Sequence, residues 1–266
     1  MKKVDNYIFD FYGTLVDIWT DEHEQRLWHE MAAFYSVYGR DYAPAAFEDR
    51  YWSYVREAEA KLGDERGYLY PEIDLTDVFL RLYREAPRTH ETFMQISEDK
   101  LPEWVAGAAN IFRIISRKRL GPFPNTIYTL QQLKDAGKKL WLLSNAQKVF
   151  TMPEIEATGL AGFFDKMYIS SDYQMRKPQR EFMQRLLREQ DIDPKNAVMI
   201  GNDFSTDMKI AADTGVAGIF LNTDKHSADE LIRGKAGLYP AEIELIPSGD
   251  IAEILKGIYI GWRKSK

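Results

Sequence analysis

Between Val4 and Phe9 the chain carries Val4, Tyr7, Ile8 and Phe9 in a short run rich in β-branched and aromatic residues. Such a run predicts a strand buried on both faces of a parallel sheet. It ends on Asp10, and Gly13 follows, so the strand delivers a carboxylate into a glycine turn. Beyond the turn the apolar positions take up helical spacing. Thr20 reads as an N-cap with Asp21, Glu22 and Glu24 in the first turn, Leu27, Met31, Phe34 and Tyr38 mark one face, and Gly39 closes the segment. A second helix is predicted from Pro44 to Leu62, with Phe47, Tyr51, Tyr54, Val55 and Ala58 inward, before a polar break at Gly63 to Gly67. A third spans Asp74 to Glu85 around Val78, Phe79 and Leu82, and a fourth spans Pro102 to Ser116 around Val105, Ala109, Phe112 and Ile115. No strand is predicted between Val16 and Leu120.

From Pro122 helices and strands alternate. A helix from Asn125 to Ala136, closed by Gly137, leads to a strand from Lys139 to Leu143 that ends on Ser144-Asn145. A strand from Met167 to Ser170, a helix from Gln179 to Glu189 and a strand from Ala197 to Ile200 follow. The loop Gly201 to Asp207 then enters a helix that includes Ile210 to Ala212, with short strands at Gly218 to Leu221 and Glu242 to Ile246. This alternation implies a parallel sheet with crossover helices, to which the first strand also belongs. The expected fold is therefore α/β: a Rossmann-like core from 1–16 and 122–266, interrupted by an all-helical cap over 17–121. Val16–Thr20 and Leu120–Pro124 are the expected hinges, and Trp19 is expected to pack between the two parts.

The composition narrows the function. With 41 acidic and 35 basic residues in 266 the net charge is -6, which gives no electrostatic reason to bind nucleic acid or an anionic membrane. Cysteine is absent, excluding thiolate nucleophiles and sulfur-ligated zinc. The lysines at positions 2 and 3 precede an apolar run that Asp5, Asn6 and Asp10 interrupt too soon for a signal peptide, and no apolar stretch is long enough to span a bilayer. These features predict a cytoplasmic protein acting on a small molecule, with its oligomeric state open. His23, His29, His90 and His226 show no ligand spacing.

Ligands of open α/β sheets bind beyond the carboxyl ends of the strands, where Asp10 stands together with Ser144-Asn145, Lys177-Pro178 and Asn202-Asp203 with Asp207. One carboxylate nucleophile, one hydroxyl, one fixed cation and an acidic cluster suit phosphoryl transfer. Asp10 attacks, Lys177 and Ser144 hold the transferred oxygens, and Mg²⁺ on carboxylate and backbone oxygens offsets the repulsion between anions. Taken singly each has an ordinary structural reading: Asp10 satisfying turn amides, Ser144 as a helix cap, Lys177 as a surface lysine, and Asp203 and Asp207 as first-turn acids.

The motifs Asp10-x-Tyr-Gly-Thr14, Leu142-Leu-Ser-Asn145, Arg176-Lys-Pro178 and Gly201-Asn-Asp-x-x-x-Asp207, in this order, resemble those of the haloacid dehalogenase-like hydrolase superfamily, with a cap inserted between the first and second. The resemblance implies Asp10 as nucleophile, Thr14, Ser144, Asn145 and Lys177 around substrate, and Asp10, the Tyr12 carbonyl, Asn202, Asp203 and Asp207 around Mg²⁺. Two departures stand out. Phosphatases of the family usually place a proton-donating Asp where Tyr12 stands, whereas its dehalogenases carry Tyr and expel a halide that needs no proton. Asn202 occupies the slot where many members have the first metal-binding Asp, with Asp203 adjacent. The dehalogenase features are also incomplete: Met183 stands where those enzymes have an aromatic residue, and neither Arg26 nor Arg40 matches their halide-binding arginine. The expectation is a Mg²⁺-dependent phosphatase of a small metabolite, with a 2-haloacid dehalogenase or a non-catalytic phospho-ligand binder as alternatives. Arg113, Arg117, Lys118 and Arg119 read as a solvated basic helix end.

Overall fold

The computed structural model describes residues 4–87 and 96–256. In chain order its elements are β1 (Asn6–Phe9), β2 (Val16–Thr20), α1 (Gln25–Ser36), α2 (Pro44–Arg66), α3 (Leu75–Glu85), α4 (Leu101–Ser116), β3 (Arg117–Pro122), α5 (Thr126–Asp135), β4 (Lys139–Ser144), α6 (Lys148–Ala157), β5 (Lys166–Ile169), α7 (Ser170–Tyr173), α8 (Arg180–Glu189), β6 (Ala197–Gly201), α9 (Lys209–Thr214), β7 (Ala217–Leu221), α10 (Ala228–Ala236) and β8 (Ile243–Ile246).

Six strands form a parallel sheet in the order β5-β4-β1-β6-β7-β8. The first strand lies at its interior, with Phe9 level with Leu142 of β4 and Ile200 of β6. Side chains alternate across a strand, so Tyr7 and Phe9 face the layer of α5 and α6 (Leu130, Leu133, Ile155), while Ile8 faces that of α8 and α9 (Phe182, Leu186, Ile210). Burial on both faces explains why these strands read as apolar runs. Each of those large side chains, being fully buried, contributes about 1.5–3 kcal/mol.

The helices α1–α4 share a separate core built on Trp28, Tyr35, Phe47, Tyr51, Phe79 and Phe112, and Phe150 of α6 joins it from the sheet side. Asp74 caps α3 by accepting from the Thr76 amide at 2.9 Å. The fold class thus agrees with the alternation in the sequence, and the structure corrects several elements. The stretch expected to hold no strand contains β2, and its return partner is β3; the two pair antiparallel, Val16 opposite Pro122, so the connections form one ribbon. Thr20 ends β2 instead of capping a helix, and α1 starts at Gln25. The second helix runs through Gly63 to Arg66, where Gly67 adopts the left-handed conformation. Trp19 lies on the ribbon, 55% exposed, because alternation along β2 turns it outward. Three further helices among the described residues were not expected: α6, which holds Pro153, the single turn α7, which begins at Ser170 where the strand was expected to end, and α10, opened by a Ser227/Glu230 capping box. Among the described residues no helix is long and apolar enough to cross a membrane.

Candidate active site

The ends of β1, β4 and β6 lie side by side, and each hands on a polar residue. The Asp10 amide continues the sheet by donating to the Ile200 carbonyl at 2.9 Å, which carries the strand geometry up to the carboxylate. Gly13 then turns with φ +78°, and a Cβ there would stand 2.6 Å from Asn202 Nδ2. Glycine is therefore needed both for the turn and for the close approach of the β6 loop. At Gly201 a Cβ would meet the Asp207 carboxylate at 2.2 Å, so the bare backbone leaves room for that acid to fold back under the strand end.

Lys177 reaches this place from the loop before α8 and is buried. Its Nζ donates to Asp10 Oδ1 at 2.7 Å and to Asp207 Oδ1 at 2.6 Å. The other Asp207 oxygen accepts from the Asn202 and Asp203 amides at 3.1 and 3.2 Å. Thr14 Oγ1 lies 3.3 Å from Asp10 Oδ2 and 3.1 Å from Asn202 Oδ1, so its one proton serves either acceptor. Burial opposes the charge on Lys177, but Asp10 and Asp207 outweigh it and hold its pKa above the ordinary lysine value. Asp207 is pushed above the usual carboxylate range by burial first, with the Asp10 charge adding and Lys177 opposing. One ammonium does not balance two buried carboxylates, so with both ionised the cluster carries surplus negative charge.

Asp10, Thr14, Lys177, Asn202 and Asp207 are thus brought together. Ser144 is fully buried at the end of β4, and among the described residues its Oγ has no hydrogen-bond partner. Two expected site residues have other engagements. The Asn145 side chain grips the Lys177 main chain from both sides, accepting from its N–H at 2.7 Å and donating to its carbonyl at 2.9 Å. Its amide is spent on placing the lysine. The exposed Asp203 turns away to cap the π-helical turn Phe204–Met208, where Oδ1 accepts from the Ser205 and Thr206 amides at 2.6 and 3.0 Å. Asp207, one turn on, is the acid of this loop that reaches the cluster.

Tyr12 sends its side chain toward α6. The phenol donates to Glu154, whose carboxylate also receives Arg113 Nε at 2.7 Å and Arg117 at 2.8 Å, and it lies 3.1 Å from Thr151 Oγ1. Burial, and next the Glu154 charge, raise the phenol pKa above its ordinary value. Burial alone would raise Glu154 as well, but the Arg113 bonds and charge hold it below the usual range. Arg113 is therefore a buried partner of Glu154, correcting its reading as part of a solvated helix end; Lys118 and Arg119 pair with Glu24 and Asp17. The role of Glu154 was not visible in the sequence, since it meets Tyr12 across 142 positions. A cavity of about 300 Å³ lies against this bridge, walled by Tyr12, Asn145 and Gln147 on one side and Glu22, Tyr51 and Arg113 on the other. His90 lies outside the described residues.

A family model described as haloacid dehalogenase-like hydrolase matches residues 7–221. The chain belongs to that family. Over 119 residues, 45% of this chain and 53% of the relative, this haloacid dehalogenase-like hydrolase is 32% identical to the glyceraldehyde 3-phosphate phosphatase of Methanothermobacter thermautotrophicus. Over 122 residues, 44% of this chain and 55% of the relative, it is 28% identical to pyrophosphatase PpaX of Bacillus velezensis. The chain thus spans about half the length of these two curated relatives. Among solved structures, the 2-haloacid dehalogenase from Pseudomonas syringae pv. Tomato DC3000 superposes with a TM-score of 0.61 at 18% identity, covering 97% of this chain and 99% of that one. The HAD phosphatase from Thermococcus onnurineus gives 0.55 at 18%, covering 97% and 98%. These two share the fold, and the fold alone does not choose between their named activities.

Proposed function

We propose that this hydrolase is a Mg²⁺-dependent phosphatase of a small phosphorylated metabolite, with a core of 1–16 and 122–266, a cap of 17–121, and Asp10 as nucleophile. The observation that carries this reading is the Lys177 ammonium held between Asp10 and Asp207 at the strand ends. The phosphatase names of the partial relatives support it.

The donor set fits Mg²⁺, a hard cation that takes one or two carboxylates, neutral oxygens and substrate oxygens. Asp10, Asp207, the Asn202 side-chain oxygen and the Tyr12 carbonyl would hold it. Among the described residues no group of three His, Cys, Asp or Glu gathers as a metal cage. When bound, Mg²⁺ would neutralise the surplus charge and let an anionic phosphoryl group approach a carboxylate.

An Asp10 oxygen attacks phosphorus, and the bond to the leaving oxygen breaks with its electron pair. Lys177 and the Ser144 hydroxyl stabilise the transferred oxygens, and Thr14 steadies the other Asp10 oxygen. Water then attacks phosphorus, the bond to Asp10 breaks, and inorganic phosphate leaves with the carboxylate restored. Closure of α1–α4 over the strand ends would exclude bulk water during the first step. Asn145 acts on Lys177, not on substrate.

A second reading, 2-haloacid hydrolysis, is favoured by the Tyr12 side chain, which leaves no proton donor two places after the nucleophile. Against it, Arg26 pairs with Glu30 on the surface, Arg40 stacks on Tyr83, and Met183 is buried in the core. The test is release of p-nitrophenol from its phosphate with Mg²⁺ and with EDTA, using Asp10→Asn as control. Metal-dependent turnover abolished by Asp10→Asn is expected. Halide release from a 2-haloacid without phosphatase activity would select the second reading, and equal activity of wild type and Asp10→Asn would indicate a phospho-ligand binder.

A further inference from the structure

We propose that Asp224, in the loop after β7, is a positioning residue that fixes Asn202 with its oxygen toward the nucleophile and supplies behind it the carboxylate which Asn202 lacks. The inference rests on the metal-dependent reading above. Asn202 Nδ2 donates to Asp224 Oδ2 at 2.7 Å, while Asn202 Oδ1 faces the Thr14 hydroxyl at 3.1 Å. An amide presents a donor at one end and an acceptor at the other. Turned over, Asn202 would set its oxygen against the Asp224 carboxylate and its N–H groups toward Asp10, a face unfit for a cation. Contact across Gly13 restricts the amide further, since a Cβ there would stand only 2.6 Å from Nδ2.

The loop that carries Asp224 is built to hold it. Asn222 is buried; its Nδ2 donates to the His226 and Pro247 carbonyls at 2.9 and 3.1 Å, and its Oδ1 accepts from the His226 amide at 2.7 Å. Thr223 ties the same loop to the nucleophile turn through a hydrogen bond to the Gly13 carbonyl. Asp224 is exposed, so its carboxylate incurs no burial penalty and is available to orient a neighbour. The arrangement is an outer carboxylate acting on an inner oxygen donor, a pairing that tunes metal affinity.

The experiment is calorimetric titration of Mg²⁺ into the free enzyme, without substrate, for wild type, Asp224→Asn, and Asn202→Asp combined with Asp224→Asn. The single variant should bind Mg²⁺ about 10–100-fold more weakly. The double variant should recover most of the loss, because the carboxylate then stands at 202 and the new amide at 224 donates to it. Thermal melting without metal checks that both variants fold. Unchanged affinity in the single variant, or no recovery in the double, overturns the role of Asp224 alone. Absence of Mg²⁺ binding by wild type overturns it together with the metal-dependent reading, which aryl phosphate turnover in EDTA tests separately.

Discussion

The phenol of Tyr12 donates to Glu154, a carboxylate that is 2% exposed and shared with Arg113 of α4 and Arg117 of β3. The residue two places after Asp10 is thereby committed to joining the helical block to the sheet. With its pKa raised by burial and by Glu154, it is a weaker acid than free tyrosine. In the proposed phosphatase reaction the leaving oxygen would therefore depart without a proton from this position. Acyl and aryl phosphates, whose leaving groups are stable as anions, should turn over faster than alkyl phosphates by the roughly 10²–10⁴-fold that a general acid supplies. Comparing kcat for acetyl phosphate, p-nitrophenyl phosphate and glycerol phosphate checks this, and equal values would mean that another group protonates the leaving oxygen.

Removing the hub of that bridge should be felt as stability. Glu154→Ala leaves Arg113 buried without its carboxylate, a change that costs about 3–5 kcal/mol and lowers the melting temperature by roughly 6–20 °C. Tyr12→Phe removes one neutral donor to that carboxylate and leaves both arginines paired, so it should cost less, about 1.5–3 kcal/mol. Calorimetric melting of both variants decides the order. A milder effect of Glu154→Ala than of Tyr12→Phe would show that the arginines find other partners.

The buried acids make a prediction about pH. Asp207 is pushed up to about 7, so between the ordinary carboxylate value and that point the folded chain holds a proton that the unfolded chain has released. A raised acid pKa contributes stability that is present below the unfolded value and lost as pH rises through the folded one. Lys177→Met removes the cation facing both acids and should deepen this slope. The deficit is expected to reach about 3–5 kcal/mol at pH 8 and to shrink near pH 5, where Asp207 has taken up its proton. Urea unfolding at the two pH values measures it, and a pH-independent deficit would place the loss in packing.

Gly201 tests how closely the site is built on bare backbone. Gly201→Ala sets a methyl 2.2 Å from an Asp207 carboxylate oxygen and 2.5 Å from its Cβ, while the Asn202 and Asp203 amides hold that carboxylate in place. Overpacking of this kind costs about 1–3 kcal/mol, and displacement of Asp207 should remove most turnover. Retained turnover with unchanged melting would show that Asp207 has room to move.

Much of this was legible in the chain because burial on both faces leaves a strand no choice but a continuous apolar run, and Asp10, Ser144 and Asn202 break those runs where the sheet stops. The β2–β3 ribbon was not legible. Asp17, Arg117, Lys118 and Arg119 belong to a two-stranded element with exposed positions, which needs no sustained apolar alternation. Helix α6 was hidden by Pro153, whose missing N–H argues against a helix interior until packing of Phe150 and Ile155 overrides it. By contrast, Ser227 with Glu230 is a capping signal that sequence reading could have used to find α10. Glu154 and Asp224 act through contacts 142 and 22 positions away, and nothing in their local sequence announces those partners.

The acidic loop after β6 supplies the last prediction, and the structure reverses the order that adjacency alone suggests. Asp203 sits beside Asn202 in sequence, so it looks like the substitute ligand, and Asp203→Ala would then damage Mg²⁺ dependence more than Asp207→Ala. Yet the Asp203 carboxylate faces its own turn, accepting from Ser205 and Thr206, while Asp207 meets Lys177 beside Asp10. Asp203→Ala should therefore act as the loss of a cap, costing about 0.5–2 kcal/mol of stability and leaving the Mg²⁺ requirement near that of wild type. Asp207→Ala should weaken the Mg²⁺ response by more than the roughly 10–100-fold expected for an outer-shell partner. Titrating Mg²⁺ against aryl phosphate turnover in both variants, with denaturant melts alongside, separates the two effects. If Asp203→Ala proves the more damaging to the metal response, the cation binds at the outer rim of the loop and not beside Lys177.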